Sequence, residues 1–429
     1  MRNMRTSSLG KKWQGNLSIG KERGVVAIMV ALSIVMLVGF VGLALDLGKL
    51  FVTKTELQNS ADACALAAAR ELTGASSNQL VLAEAAGIAA GTSNNVRFQS
   101  DPVAVNGGDV TFSDILNGTY QTKDAVANVL TMRFARCTVE RTGIANWFVQ
   151  VLGIGDQQVR ATAVASLVPG QTNCAVPIGI CLSDVEAAIA GAGKGTWIQG
   201  VLGSGGELTG GFKWIDYTPP GGGASELEAL LTGSGACSLP AVGSIVGEGG
   251  VVASLSKGWN SRFGIYRDPV EDTPGQTGFA VPDKSGFAYT EVTWPAQFDA
   301  FSNLITQRGN YAPYQGDDFP TGLNAEGGGS ATMTSAFLQQ NGADRRLGVA
   351  AVVDCPTLDA GAPTAPVISW ACILMLHPIN FNSGGSGTGA DRMFVEYLGQ
   401  ANDPLSPCAT SGAVGGPGSV GPLVPALVQ

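Results

Sequence analysis

Histidine is the side chain most often needed for nucleophilic or acid–base work, and His377 is the only one in the 429 residues. It precedes Pro378 at the end of an apolar run, which predicts a structural role rather than the base of a Ser-His-Asp or Cys-His group. No G-x-S-x-G or H-E-x-x-H string occurs. Gly193-Lys194-Gly195-Thr196 is a fragment of a phosphate-binding loop without the strand–loop–helix setting that such a loop needs. Asp317 and Asp318 form an acidic pair in a loop, where solvation is the expectation and calcium binding the rarer alternative. No two acids stand in a context that suggests paired carboxylate catalysis. The expectation is a protein that is not an enzyme, with no catalytic residue, no metal site and no cofactor.

Cysteine carries the remaining chemistry. Cys64, Cys137, Cys174, Cys181, Cys237, Cys355, Cys372 and Cys408 all lie after residue 45. An even number in an oxidising compartment predicts up to four disulfides, with about a hundred formal pairings. The absence of C-x-x-C and the single histidine argue against zinc. Cys174 and Cys181 bracket the short stretch AVPIGI and form the first expected pair, with Cys355 and Cys372 the second. Cys64 stands among alanines and reads equally as a free small hydrophobe or as the partner of Cys137.

These residues must be positioned by elements, and the first is an anchor. Val25 to Leu45 is free of charge, and at about 1.5 Å per residue a helix of that length spans roughly 31 Å, the thickness of a bilayer's hydrocarbon core. Residues 1–24 carry Arg2, Arg5, Lys11, Lys12, Lys21 and Arg23 against Glu22 alone, which predicts a cytoplasmic N-terminus and export of everything after Leu45. The whole chain has net charge −9, so residues 25–429 carry −14. An acidic exported part excludes nucleic acid and anionic lipid as its natural partners. The apolar run exceeds a signal peptide's core and continues into a helical pattern, so a retained, single-pass inner-membrane anchor is expected, with the C-terminal part periplasmic.

Past Asp46, apolar residues recur at Leu47, Leu50, Phe51, Leu57, Ala61, Ala65 and Ala69, at helical spacing. The helix is expected to continue as an amphipathic stalk over residues 46–73, stopped by Gly74 and the polar residues after it. Its alanine-dominated stripe, with Gly39 and Gly42 in the span, suits close approach of a second helix or a sheet. Asp46 reads as a marker of the membrane–water boundary or as a partner for a basic residue on another helix. Gln58, Asn59 and Asp62 lie within one turn of each other and suit bridging to a following domain.

The segment RGVVAIMVAL, followed by GLALDLGKLFVTKTELQNSADACALAAA, resembles the N-terminal domain of TadG-like proteins of the Tad (Flp) pilus assembly system. The matching positions are Arg23, Gly24, Asp46, Gly48, Leu57, Gln58, Asn59, Ala61, Asp62 and Ala63, within about residues 23–70. The resemblance implies that these residues are partner contacts. Prepilin-peptidase substrates of the pilin and pseudopilin kind carry a glutamate five residues after the glycine. Here Met29 stands at that position, which favours a TadG-like protein over a TadE-like pseudopilin or the pilin. Some TadG-like proteins carry a von Willebrand A domain whose metal site opens on Asp-x-Ser-x-Ser. Asp283-Lys284-Ser285-Gly286-Phe287 lacks the second serine, so that site is not carried over.

The remainder is expected to be α+β. Residues 79–169 read as a small α/β domain. It has a helix over 80–90, strands near 96–99 and 109–112, and a strand over 130–139 with Leu130, Met132 and Phe134 on one face. A helix then presents Trp147, Phe148, Val151 and Leu152 to a core, and a last strand covers 159–167. A helix on a small antiparallel sheet is the pilin-like arrangement, which the resemblance also implies. Residues 170–429 change character. Glycine clusters at 221–223, 249–250, 327–329 and 384–385 mark loops between short helices, near 225–231 and 296–307, and strands near 347–353, 367–376 and 393–398.

The resemblance implies a non-enzymatic inner-membrane component of Tad pilus assembly (the tight-adherence secretion system). It would act through helix–helix and periplasmic contacts with other Tad components or pilin-like proteins. No nucleic acid and no small-molecule substrate is indicated. The alternative is a tethered adhesin-like binding protein, since residues 170–429 lie outside the resemblance.

Overall fold

Arg23–Arg70 form one uninterrupted helix, α1. No proline occurs in it, and alanine and leucine, both strong helix formers, are its commonest residues. It is long and apolar enough to cross a membrane. The computed structural model describes residues 23–202, 208–219, 223–248, 255–267, 273–274, 278–317, 323–326, 330–359, 364–380, 392–416 and 418–429. The basic tail through Glu22, Asp318, and the glycines at 221–222, 249–250, 327–329 and 384–385 lie outside these residues. The chain is α+β, with the long helix first and short helices and many strands after it. It divides into two compact units, residues 1–165 with 427–429, and residues 166–426.

In the first unit α1 meets a second helix, α2 (Gln79–Thr92), and a small antiparallel sheet. Strands β1 (Asn95–Val96) and β2 (Asp101–Pro102) pair as a short hairpin. Strand β3 (Val110–Ser113) pairs with β4 (Phe134–Ile144), which lies beside β5 (Gln157–Thr172). The core is built from small residues: Ala61, Ala65, Ala68 and Ala69 of α1, Ala83 of α2, Ala135 and Val139 of β4, and Ala161 and Ala163 of β5. Small side chains let α2 approach closely. A Cβ at Gly91 would lie 2.8 Å from Val105 Cγ2 and 3.1 Å from Cys64 Cβ.

Two expectations for this unit are corrected. The strand expected over 130–139 begins only at Phe134, and its buried face is Ala135, Cys137 and Val139. A turn over Val129–Thr131 delays the strand to Phe134, and the Cys64–Cys137 disulfide fixes which face turns inward. The expected helix around Trp147 is a single 3-10 turn, Val149–Leu152, ended by Gly153 at φ +76°. Trp147 and Phe148 are not core; they are 54% and 43% exposed. The side chains of Val151 and Leu152 lie outside the described residues.

The second unit is built on a mixed sheet. Its strands are β6 (Ala175–Cys181), β7 (Thr196–Leu202), β8 (Leu208–Gly210), β9 (Phe212–Asp216), β10 (Ile245–Glu248), β13 (Leu347–Val353), β14 (Thr364–Pro366), β15 (Ser369–Met375) and β16 (Arg392–Gln400). Strands β11 (Ile265–Tyr266) and β12 (Ala331–Thr332) pair separately. The order is β14-β10-β9-β6-β13-β15-β16-β7-β8, with β6 and β13 parallel and the other pairs antiparallel. Alternate residues of the central strands feed two cores. Ile178, Ile180, Ala350 and Val352 face one, and Val349, Ala351, Val353 and Cys372 the other. Burial on both faces explains why these strands read as continuous apolar runs. Near the chain's end, β17 (Ala409–Val414) pairs within this unit with the last residues of β5, Ala409 opposite Thr172 and Val414 opposite Gly170.

All eight cysteines are bonded: Cys64–Cys137, Cys174–Cys237, Cys181–Cys355 and Cys372–Cys408. Both expected local pairs are therefore corrected. Cys174 and Cys181 stand at opposite ends of the extended strand β6, roughly 20 Å apart at about 3.3 Å per residue. A disulfide tolerates a Cα separation of only about 7 Å. Cys372 lies opposite Val349 across the β13–β15 pair, six positions from Cys355, and is out of reach for the same reason. Non-reducing peptide mapping is expected to return these four linkages. Replacing Cys64 and Cys137 together by serine is expected to cost the first unit about 2–5 kcal/mol, read as a lowered urea midpoint.

Candidate functional site

The buried face of α1 runs Gly42, Asp46, Lys49, Thr53, Leu57, Ser60 with Ala61, Cys64 with Ala65, and Ala68 with Ala69, and buried Leu72 follows just past the helix end. The steps of three and four residues make one continuous stripe. Its upper part is apolar and closes the core of the first unit. Its lower part is polar, and there the helix is clamped to the loop 145–155.

Asp46, 3% exposed, accepts three backbone hydrogen bonds: Trp147 N–H at 2.7 Å on Oδ1, and Phe148 N–H at 2.9 Å and Val149 N–H at 2.8 Å on Oδ2. An ionised carboxylate only accepts, so three converging donors complement it. These N–H groups open the 3-10 turn Val149–Leu152 and have no partner within it. One helical turn on, Lys49 donates to the Ala145 carbonyl at 2.7 Å, and its Nζ lies 4.8 Å from the centre of the Trp147 ring. Asn146 closes the loop on itself, donating to Ile154 O at 3.3 Å and Gly155 O at 2.8 Å. Below Asp46, Gly42 abuts Phe148. A Cβ there would lie 2.6 Å from Phe148 Cβ, a distance no side chain tolerates.

Further along the helix, Gln58 donates to Asp62 Oδ1 at 2.8 Å and to the Thr162 carbonyl of β5 at 3.1 Å. Ser60 donates to Gly91 O at 2.9 Å, and Lys54 to Arg160 O. Of the positions singled out in the sequence, Asp46, Leu57 and Ala61 thus face their own unit, and Gln58 bridges to it. Asp46, Leu57 and Ala61 are buried within that unit, and Gln58 is half-buried. Gly48 and Asn59 are exposed, and Asp62 and Ala63 half-buried. Arg23 and Gly24 belong to the first turn of α1, and their side chains lie outside the described residues. Gly42 is taken by Phe148, whereas Gly39 has nothing within 4 Å. The loop 145–155 was invisible as a site in the sequence. The one available signal was Asn146 and the glycines at 153 and 155, which are poor helix residues.

The chemistry-bearing residues of the second unit are structural. His377 is buried, with Nδ1 2.7 Å from Pro378 O and Nε2 accepting from Phe394 N–H at 3.2 Å. Burial pushes its pKa down to about 4. Asp283 is fully buried and pairs with Arg308 at 2.5 Å while accepting from Arg345 and Arg346 N–H. Burial alone would raise its carboxyl, but the Arg308 guanidinium and these donors outweigh it and hold the pKa below the usual range. Asp317 accepts from Tyr314 Oη and from Ala325 and Glu326 N–H, so its carboxylate ties a loop together. Glu396 caps the helix Ala300–Gly309, accepting from Ala300 N–H at 2.7 Å, Phe301 N–H at 3.2 Å and Trp197 Nε1–H at 3.2 Å. Burial pushes its pKa up to about 7 against those three donors.

Two measurements check these assignments. Replacing Asp46 by asparagine trades an acceptor oxygen for a donor, and hydrogen exchange at the amides of 147–149 is expected to quicken by about tenfold or more. For Glu396 the folded pKa lies above the unfolded value of 4.5, so its contribution is complete below pH 4.5 and lost as pH rises through about 7. The loss of thermal stability between pH 5 and 8 is therefore expected to be smaller in Glu396→Gln than in the parent chain.

No curated protein and no solved structure matches this chain. Residues 24–71 match a family model described as putative Flp pilus-assembly TadE/G-like. That match covers α1 from its first turn to just past its end, and so includes the span, the Asp46–Lys49 clamp and the alanine stripe. The N-terminal segment of this chain is thus similar to the TadE/G-like proteins of Flp pilus assembly.

Proposed function

We propose that the chain is a non-enzymatic component of Tad/Flp pilus assembly, held in the inner membrane by α1 with its N-terminus in the cytoplasm and the residues after Leu45 in the periplasm. The basic tail before the span and the net −14 after it support this direction. One observation carries the proposal. The face of α1 opposite the clamp is unpartnered: Phe40, Leu43, Leu47 and Phe51 are 71%, 43%, 44% and 70% exposed, with Gly39 and Gly48 open beside them. Leu47 and Phe51 lie beyond the uncharged run, where an apolar surface left to water is unfavourable. A helix of a pilin-like partner fits this apolar strip.

A second reading, a tethered binding module, has one observation in its favour. A cleft of the second unit is lined by Trp370, Gln400, Asn402 and Ser419, and the buried Trp370 Nε1–H has no hydrogen-bond partner. Electron microscopy separates the two. Deleting the gene is expected to remove surface Flp fibres, and Phe51→Asp is expected to do the same with the chain still folded and membrane-bound. Normal fibres with lost surface binding in the deletion strain would sink the assembly reading and leave the binding module.

A further inference from the structure

We propose that the loop 145–155 is a second membrane contact, dipping Trp147, Phe148 and Ile154 into the outer-facing boundary of the same phospholipid bilayer that α1 crosses. The inference rests on the anchor reading of α1 and adds to it a lipid-binding surface on the first unit.

Depth is the first argument. Phe148 lies against Gly42, three residues inside the uncharged run that ends at Leu45. At about 1.5 Å per residue that contact falls some 4–5 Å below the end of the run. A helix placed with Val25–Leu45 in hydrocarbon therefore carries Phe148 to the edge of the hydrocarbon with it. The Asp46 bonds to three successive amides fix the loop at that level, since they tie it to the first charged residue after the span.

Composition is the second. The loop exposes Trp147 (54%), Phe148 (43%) and Ile154 (44%), side chains that gain by leaving water. Tryptophan prefers the headgroup level, where its ring is buried and its N–H remains wet. Lys49, above the Trp147 ring and only 8% exposed, has its ammonium on Ala145 O, so no bare cation faces lipid.

Backbone satisfaction is the third. Irregular backbone is tolerated beside hydrocarbon only when its polar groups are paired. Here the N–H groups of 147–149 are taken by Asp46 and that of Gly153 by Gln150 O. The carbonyls of Ala145, Ile154 and Gly155 are taken by Lys49 and Asn146, and that of Trp147 by Gln150 Nε2. The backbone groups around the clamp are therefore paired, as a loop beside hydrocarbon requires of them.

The test uses the full chain at one copy per phosphatidylcholine nanodisc, so that no second copy covers the loop. Trp147 is one of seven tryptophans, and its signal is the difference between the parent and Trp147→Phe. The expected difference spectrum is blue-shifted and loses most of its intensity when the lipid is brominated near the glycerol end of its acyl chains. In Gly42→Leu, which keeps the span apolar but displaces Phe148, that quenching is expected to fall. A chain retained in the disc with a water-like, unquenched Trp147 would overturn the loop contact and leave the anchor standing. Release of the chain from the disc by alkaline carbonate would overturn both. Quenching unchanged in Gly42→Leu would overturn the claim that the helix sets the loop's depth.

Discussion

The stripe on α1 from Gly42 to Ala69 is packed along its whole length, and everything else in the first unit is arranged by it. Two demands meet on this one helix. Its first half is uncharged over the length of a bilayer, which requires apolar residues on every face. Its second half is the central element of a core, which requires small residues on one face only. Asp46 and Lys49 stand where the demands change over. They bury two charges against the loop 145–155, each satisfied by backbone partners, so neither is left bare in a poorly solvated place.

A core of alanines contributes little apolar area per residue. The first unit compensates by close approach, with Gly87 and Gly91 of α2 against Cys64 and Ala68 of α1, and by the disulfide joining α1 to β4. The second unit solves a different problem. Its sheet is apolar on both faces and is connected by long glycine-rich stretches. Disulfides join its strands to distant segments: β6 to the residues after β13, and β15 to the segment before β17. Around Asp283 the chain is further tied by buried charge. Arg346 is fully buried, donates to the carbonyls of Phe287, Met375 and Leu376, and lies 4.3 Å from the Phe263 ring centre. Removing Arg308 would leave the buried Asp283 carboxylate without its ion pair.

The TadE/G-like segment divides by face. Asp46, Leu57, Gln58 and Ala61 serve the chain's own fold, whereas Gly39, Leu43, Leu47, Gly48 and Phe51 are left over. A motif of this kind specifies at once how a helix receives its own domain and how it presents its other side.

Local sequence determined the helix, its apolar span, its extension past the membrane and the general α+β character, because these follow from composition and periodicity within one segment. It also located most of the strands near 347–353, 367–376 and 393–398, whose apolar runs need no partner to be recognised. It did not determine which cysteines meet, because pairing depends on sheet order: Cys174 and Cys181 are neighbours in sequence and ends of one strand in space. Nor did it determine that Trp147 and Phe148 face outward, since aromatic residues between strands read as core until the clamp is seen. Asp46 is 101 residues from Trp147 in the chain, and only the folded first unit brings its carboxylate to those amides. The candidate membrane span was legible because a bilayer imposes a length on a single segment. The clamp was not, because it is a contact between two segments, and contacts belong to the tertiary structure.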